Sequence, residues 1–170
     1  MSGAIQITRA GMGEQFLFGA EIATVRASGE GTEGRLFALE VTVPAGGGPP
    51  LLHRHDYAEI FYFLEGTFEV STADEGYRLR TERLGAGDVV AIPSLAWHTF
   101  KNVGAAAGRF LVVHSSAVME ELLRELGRPI SGASNSPAPA GPPLEDEGQL
   151  MRVLERYMEF LPPEKLVGVE

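Results

Sequence analysis

Through the first 116 residues, apolar and polar positions alternate in short runs broken by glycine, the period of half-buried strands rather than helices. The clearest run is RLFALEVTV, residues 35 to 43: Phe37, Leu39, Val41 and Val43 share one face, and Leu36, Ala38, Glu40 and Thr42 share the other. The first face predicts core. AIQIT, QFLFGA and EIATVRA precede it as further expected strands, with GEGTEG as a break. Beyond it, AEIFYFL places Glu59, Phe61 and Phe63 on one side, and TFEVST and YRLRTERL flank ADEG, a hairpin turn. VVAIP, AWHTFKN and GRFLVVHSS complete the series. His98, Phe100 and Asn102 then share a face, whereas Trp97 points the other way, toward an outer layer or a second subunit. Phe110, Val112 and His114 also fall on one side of their strand.

From Ala117 the period changes. Met119, Leu122, Leu123 and Leu126 recur as on one face of a short helix, with Ser116 to cap it and Gly127 and Pro129 to end it. SGASNSPAPAGPP reads as an irregular linker. A second helix is expected after it, with Leu150, Leu154, Tyr157 and Leu161 along one stripe before Pro162 and Pro163. The expected plan is strands over residues 1–116, a short helix over 117–127, a linker over 128–143, and a helix and tail over 144–170 within the same domain. A chain of 170 residues is long enough for one such core.

Composition narrows the function classes. Fourteen basic against 23 acidic residues give a net charge of −9, and no basic stripe offsets it, so nucleic acid is not an expected partner. No apolar run approaches the roughly 20 residues of a membrane span, and MSGAIQITRAGMGEQ lacks the basic start and apolar core of a secretory signal. Without cysteine, disulfides and thiolate metal sites are excluded, and a cytoplasmic location is expected. The glycine run between Pro44 and Pro50 lacks the Lys-Ser/Thr and helix of a phosphate loop.

Of four histidines, three fall in two glycine- and proline-punctuated stretches. His53 and His55, two apart, project the same way from an extended strand. Glu59 follows, and His98 lies behind the turn at Pro93 and Ser94. Imidazoles and a carboxylate converging on one point suit a first-row metal ion, with His53, His55, Glu59 and His98 as ligands. Four such ligands leave a position open for water, a substrate oxygen or O2, and Glu59 has a second use as general base. His114 could look inward near the rim and line the pocket, but a satisfied or exposed histidine is expected there rather than a ligand.

These residues carry a resemblance. Gly47, His53, His55, Glu59 and Gly66 match the pattern Gly-x5-His-x-His-x3-Glu-x6-Gly, the first motif of the cupin family, at every fixed position. Gly87, Pro93, His98 and Asn102 match the second motif, from which Leu95 departs by replacing a turn glycine. The resemblance implies an all-β double-stranded β-helix, a jelly-roll barrel, with short C-terminal helices. VTVPAGGGPPLLHRHDYAEIFYFLEG, the helix ending ELGRP and the closing FLPP are similar to those of small quercetin dioxygenase-like cupins. That likeness implies one divalent transition metal (Fe, Mn, Ni, Co, Cu or Zn) on His53, His55, His98 and Glu59. It also implies O2-dependent cleavage of a flavonol-like enol or phenol, with Glu59 as catalytic proton acceptor and Tyr57, Phe61, Phe100, Phe110 and His114 around the substrate. A homodimer is expected, since small cupins pair through sheet edges. Two other classes stay open: isomerase or lyase chemistry with the metal as Lewis acid, and a non-catalytic module that binds a small molecule. Uptake of O2 separates the oxygenase from both.

Overall fold

The computed structural model describes residues 5–130 and 147–168. Strands dominate: β1 (Gln15–Phe18), β2 (Glu21–Ala27), β3 (Phe37–Val43), β4 (His53–Arg54), β5 (Glu59–Glu65), β6 (Thr67–Ala73), β7 (Leu79–Gly85), β8 (Val89–Ile92), β9 (Trp97–Asn102) and β10 (Gly108–His114). Helix α1 (Val118–Leu126), β11 (Arg128–Pro129), α2 (Glu147–Leu154) and β12 (Glu159–Phe160) follow. The strands form two antiparallel sheets, in the orders β11-β1-β2-β3-β10-β5-β8 and β12-β4-β9-β6-β7. This is the jelly-roll architecture that the resemblance implies, built from the strands that the alternation predicts.

Parity decides the core. Phe37, Leu39, Val41 and Val43 are all buried, and they meet Phe61 and Phe63 of β5, Phe68 and Val70 of β6, Phe100 of β9 and Phe110 and Val112 of β10. The aromatic rings interlock, with centroids 4.9 Å apart for Phe100 and Phe110 and 5.1 Å for Phe61 and Phe110. Helix α1 buries Leu122 and Leu123 as its spacing predicts; Ser116 Oγ accepts the Val118 N–H, and Gly127 N–H closes onto the Leu123 carbonyl.

The outcome differs at both ends of the chain. Residues 5–8 form no strand, and Ile5 and Ile7 are exposed, because β11 occupies the edge of β1 that such a strand would need. Helix α2 stops at Leu154. Tyr157 follows in a turn, and Glu159–Phe160 pair with β4 while Leu161 N–H reaches the Leu52 carbonyl. The apolar stripe thus divides between a helix and a strand that gains ladder hydrogen bonds. Most of the expected linker, and the start expected for the segment after it, lie outside the described residues; Arg128–Pro129 pair with β1. No described helix is long and apolar enough to cross a membrane.

Candidate metal centre

The loop feeding β4 is pinned before it delivers a histidine. Gly46 N–H donates to the Asn102 carbonyl and Asn102 N–H to the Gly47 carbonyl. At Gly48, φ is +133°, and a Cβ would stand 2.2 Å from the Phe100 carbonyl oxygen, so a side chain is excluded there. Asn102, fully buried, donates from Nδ2 to the carbonyls of Val43, Pro44 and Ala106 and accepts the Gly104 N–H. This asparagine therefore locks the turns at one end of the barrel. Leu95 adopts the left-handed conformation, φ 64°, of the glycine it replaces, and its N–H donates to the His55 carbonyl over 2.8 Å. That hydrogen bond ties the His98 turn to the His55 segment.

Strand parity and this anchoring bring the expected residues together. His53 of β4 lies opposite His98 of β9, and His53, His55 and His98 each offer a ring nitrogen within 4.8 Å of the others. Their Nδ1 atoms face the carbonyls of Leu51, Tyr57 and Ala96 at 3.3, 3.0 and 2.9 Å. A carbonyl only accepts, so each Nδ1 carries a proton, and Nε2 is the ring nitrogen left to offer a lone pair to a metal. This is the arrangement that orients a metal-ligating imidazole.

Glu59, buried on β5, stands against the histidine cluster. Its Oε2 lies 3.0 Å from His98 Nε2, and its Oε1 lies 3.4 Å from His55 Nε2 and 3.0 Å from His114 Nε2. Among the described residues, Oε2 has no hydrogen-bond donor despite its complete burial. Lone pairs on neutral imidazoles facing a buried carboxylate repel one another, and an unpaired buried oxygen costs about 1–3 kcal/mol or more. A cation among them would convert that repulsion into coordination. The donor set therefore fits a transition metal such as zinc, iron or nickel.

His114 holds a place that sequence reasoning underrated. It sits directly across the sheet from Glu59, is buried, and sets Nδ1 3.2 Å from the Phe37 carbonyl. Its parity with Phe110 and Val112 signalled an inward ring; the register that pairs it with Glu59 needs the three-dimensional fold. Among the other expected pocket residues, Tyr57 stacks on the His55 ring at 3.8 Å. Phe61, Phe100 and Phe110 belong to the core cluster, with the Phe61 ring 6.5 Å from that of His98. Trp97 packs outward against Leu52 and Leu161, beneath the Arg54 guanidinium at 4.4 Å.

Burial governs the electrostatics. It would raise the Glu59 carboxyl, but protons donated from Nε2 of His114, His55 and His98 outweigh it and hold the group well below the usual carboxylate range; where those nitrogens present lone pairs instead, a cation would have to take the protons' place. For His53, burial and then neighbouring His98 lower the imidazole to about 4, so the ring is uncharged at neutral pH and its Nε2 is free of a proton. Burial, then the Glu59 charge, pushes the Tyr57 phenol up.

This jelly roll, with three histidines and a glutamate facing one another between its sheets, defines a cupin, and residues 39–114 match the cupin domain. The chain belongs to the cupin superfamily and resembles quercetin 2,3-dioxygenase of Bacillus subtilis (strain 168), with 30% identity over 132 residues. That stretch is 77% of this chain and 37% of the relative. Among solved structures, oxalate decarboxylase from Bacillus subtilis at pH 4.6 superposes with a TM-score of 0.57 at 20% identity, over 69% of this chain and 30% of the other. Oxalate decarboxylase of Lactobacillus farciminis, in its formate complex, gives a TM-score of 0.53 at 27% identity over 61% and 31%. This chain thus spans roughly a third of the length of each of these relatives.

Proposed function

We propose that the protein is a metal-dependent oxygenase that uses O2 on a small enolisable or phenolic compound of flavonol type. The observation that carries this reading is the set of lone pairs from His53, His55 and His98 gathered beside an oxygen of Glu59 that has no donor. One divalent transition metal held by these four residues would supply Lewis acidity toward a substrate oxygen and a docking position for O2. The chain's own groups do the rest. Glu59 accepts the proton of the substrate hydroxyl, and His114, 3.0 Å behind it, holds the carboxylate in place as it does so. Phe61 floors the site, and the substrate enters over half-buried His53 rather than through the filled barrel. The likeness to quercetin 2,3-dioxygenase supports the oxygenase class.

Metal analysis of protein purified without added metal, followed by an oxygen electrode with flavonols and simple enols, tests the reading. Bound metal with substrate-dependent O2 consumption is expected; turnover of an enol without O2 uptake would overturn the oxygenase. The likeness to Lactobacillus farciminis oxalate decarboxylase favours a second reading, decarboxylation of a small acid at the same residues, which that outcome would support.

We also place the protein in the cytoplasm, as its lack of cysteine suits, and propose a homodimer. Ile60, Tyr62 and Val89 lie exposed on the outer face of β5 and β8, beside the sheet edge that β8 forms, and light scattering should give twice the chain mass.

A further inference from the structure

His55 and His98 are held by the barrel, but His53 is not held in the same way. Its strand, β4, is two residues long and meets the barrel through a single pair, His53 with His98. On its other side lies the C-terminal segment. Phe160 pairs with His53 and sets its ring 6.3 Å from the imidazole, and Glu159 pairs with Arg54. The Arg54 guanidinium donates to Glu159 from Nε at 2.9 Å and from a terminal nitrogen at 2.5 Å, and Leu161 N–H donates to the Leu52 carbonyl at 2.9 Å.

Leu161 anchors this contact. It is 2% exposed and packs with Leu52 and Trp97, outside the main core. Further along, Val167 exchanges backbone hydrogen bonds with Tyr77 and Leu79, so the segment is fastened to the β6–β7 hairpin as well.

We infer that residues 159–161 are a strap that positions His53 for the metal, with Leu161 and Phe160 as its positioning residues. The inference rests on the metal-centre reading and extends it to a segment beyond the matched cupin domain. Freed from the strap, β4 keeps one paired residue, and the third imidazole loses its fixed place while the other two keep theirs. Loss of an orienting contact of this kind weakens metal binding by roughly 10–100-fold.

The test measures cobalt(II) affinity by chelator competition, with the visible spectrum of the bound ion, in full-length Leu161→Ala and the milder Phe160→Ala. Each is made alone and combined with His53→Ala. Leu161→Ala is expected to weaken binding by about 10–100-fold and to move the spectrum toward that of His53→Ala, with Phe160→Ala in the same direction. In the His53→Ala background, neither should weaken it further, because the histidine they position is gone. Wild-type affinity in both single variants would overturn the inference, as would equal losses with and without His53. A wild-type chain that takes up no cobalt would instead overturn the metal centre itself, and the strap's role with it.

Discussion

Glu59→Gln keeps the shape of the side chain and removes its charge, which makes it the most informative single change at this site. A unit charge pair 4 Å apart is worth about 4 kcal/mol at an effective dielectric of 20, and about twice that for a divalent ion. Several kcal/mol are returned because the carboxylate is already dehydrated in the metal-free protein and the ion must also lose water. A net loss of about 2.7 kcal/mol, roughly 100-fold in affinity, is the expectation. With free metal at about 1,000 times the wild-type dissociation constant, the ion stabilises the wild type by about 4.1 kcal/mol and the variant by about 1.4. For a domain of this size each kcal/mol moves the midpoint by about 2–4 °C, so saturating metal should raise it by roughly 8–16 °C in the wild type and 3–6 °C in the variant. The metal-free variant should still fold, since the new amide can donate to the Nε2 lone pairs that surround it. Scanning calorimetry with and without metal reads both numbers. Equal midpoint shifts in the two proteins would refute Glu59 as a ligand.

Three further outcomes follow from positions away from the metal. Leu95→Gly should stabilise the protein by about 0.5–1 kcal/mol in urea denaturation, because relief of the left-handed conformation exceeds glycine's entropy cost and an exposed side chain loses little burial; a lower midpoint would contradict this. Asn102→Ala strips a shared donor from three carbonyls and should cost about 3 kcal/mol by the same method. Burial raises the Glu21 carboxyl to about 7, above its unfolded value, so the native state binds its proton more tightly and stability falls as pH rises from about 4.5 through 7. Glu21→Gln removes that fall: the half-buried position limits the gain to about 1 kcal/mol at pH 8, with none at pH 4, and parallel stability curves for the two proteins would sink the argument.

Local pattern revealed what local pattern controls. Alternation identified β3, β5, β9 and β10 and the buried face of each, because a residue's side of a strand is fixed by its parity alone. The meeting of His53, His55 and His98 was legible from parity and from the turns around them. Partnership across strands was not. His114 faces Glu59 because β10 lies between β3 and β5, an order that no single stretch encodes. The C-terminal stripe was ambiguous for a related reason: Leu150, Leu154, Tyr157 and Leu161 have helical spacing, but an unpaired edge at β4 offers residues 159–161 hydrogen bonds that a helix would otherwise supply. Residues 5–8 show the converse, part of an alternating segment whose nearest edge, on β1, is already taken by β11.

The interlocked phenylalanines below His98 have an evolutionary corollary. They make the lower storey of the barrel a solid foundation, so the energy that keeps the protein folded and the chemistry it performs reside at different depths. Mutations at the upper rim can then explore new reactants without loosening the base, and the same foundation closes the route from beneath. Under the proposed oxygenase reading, selectivity would be decided on the side where His53 lies.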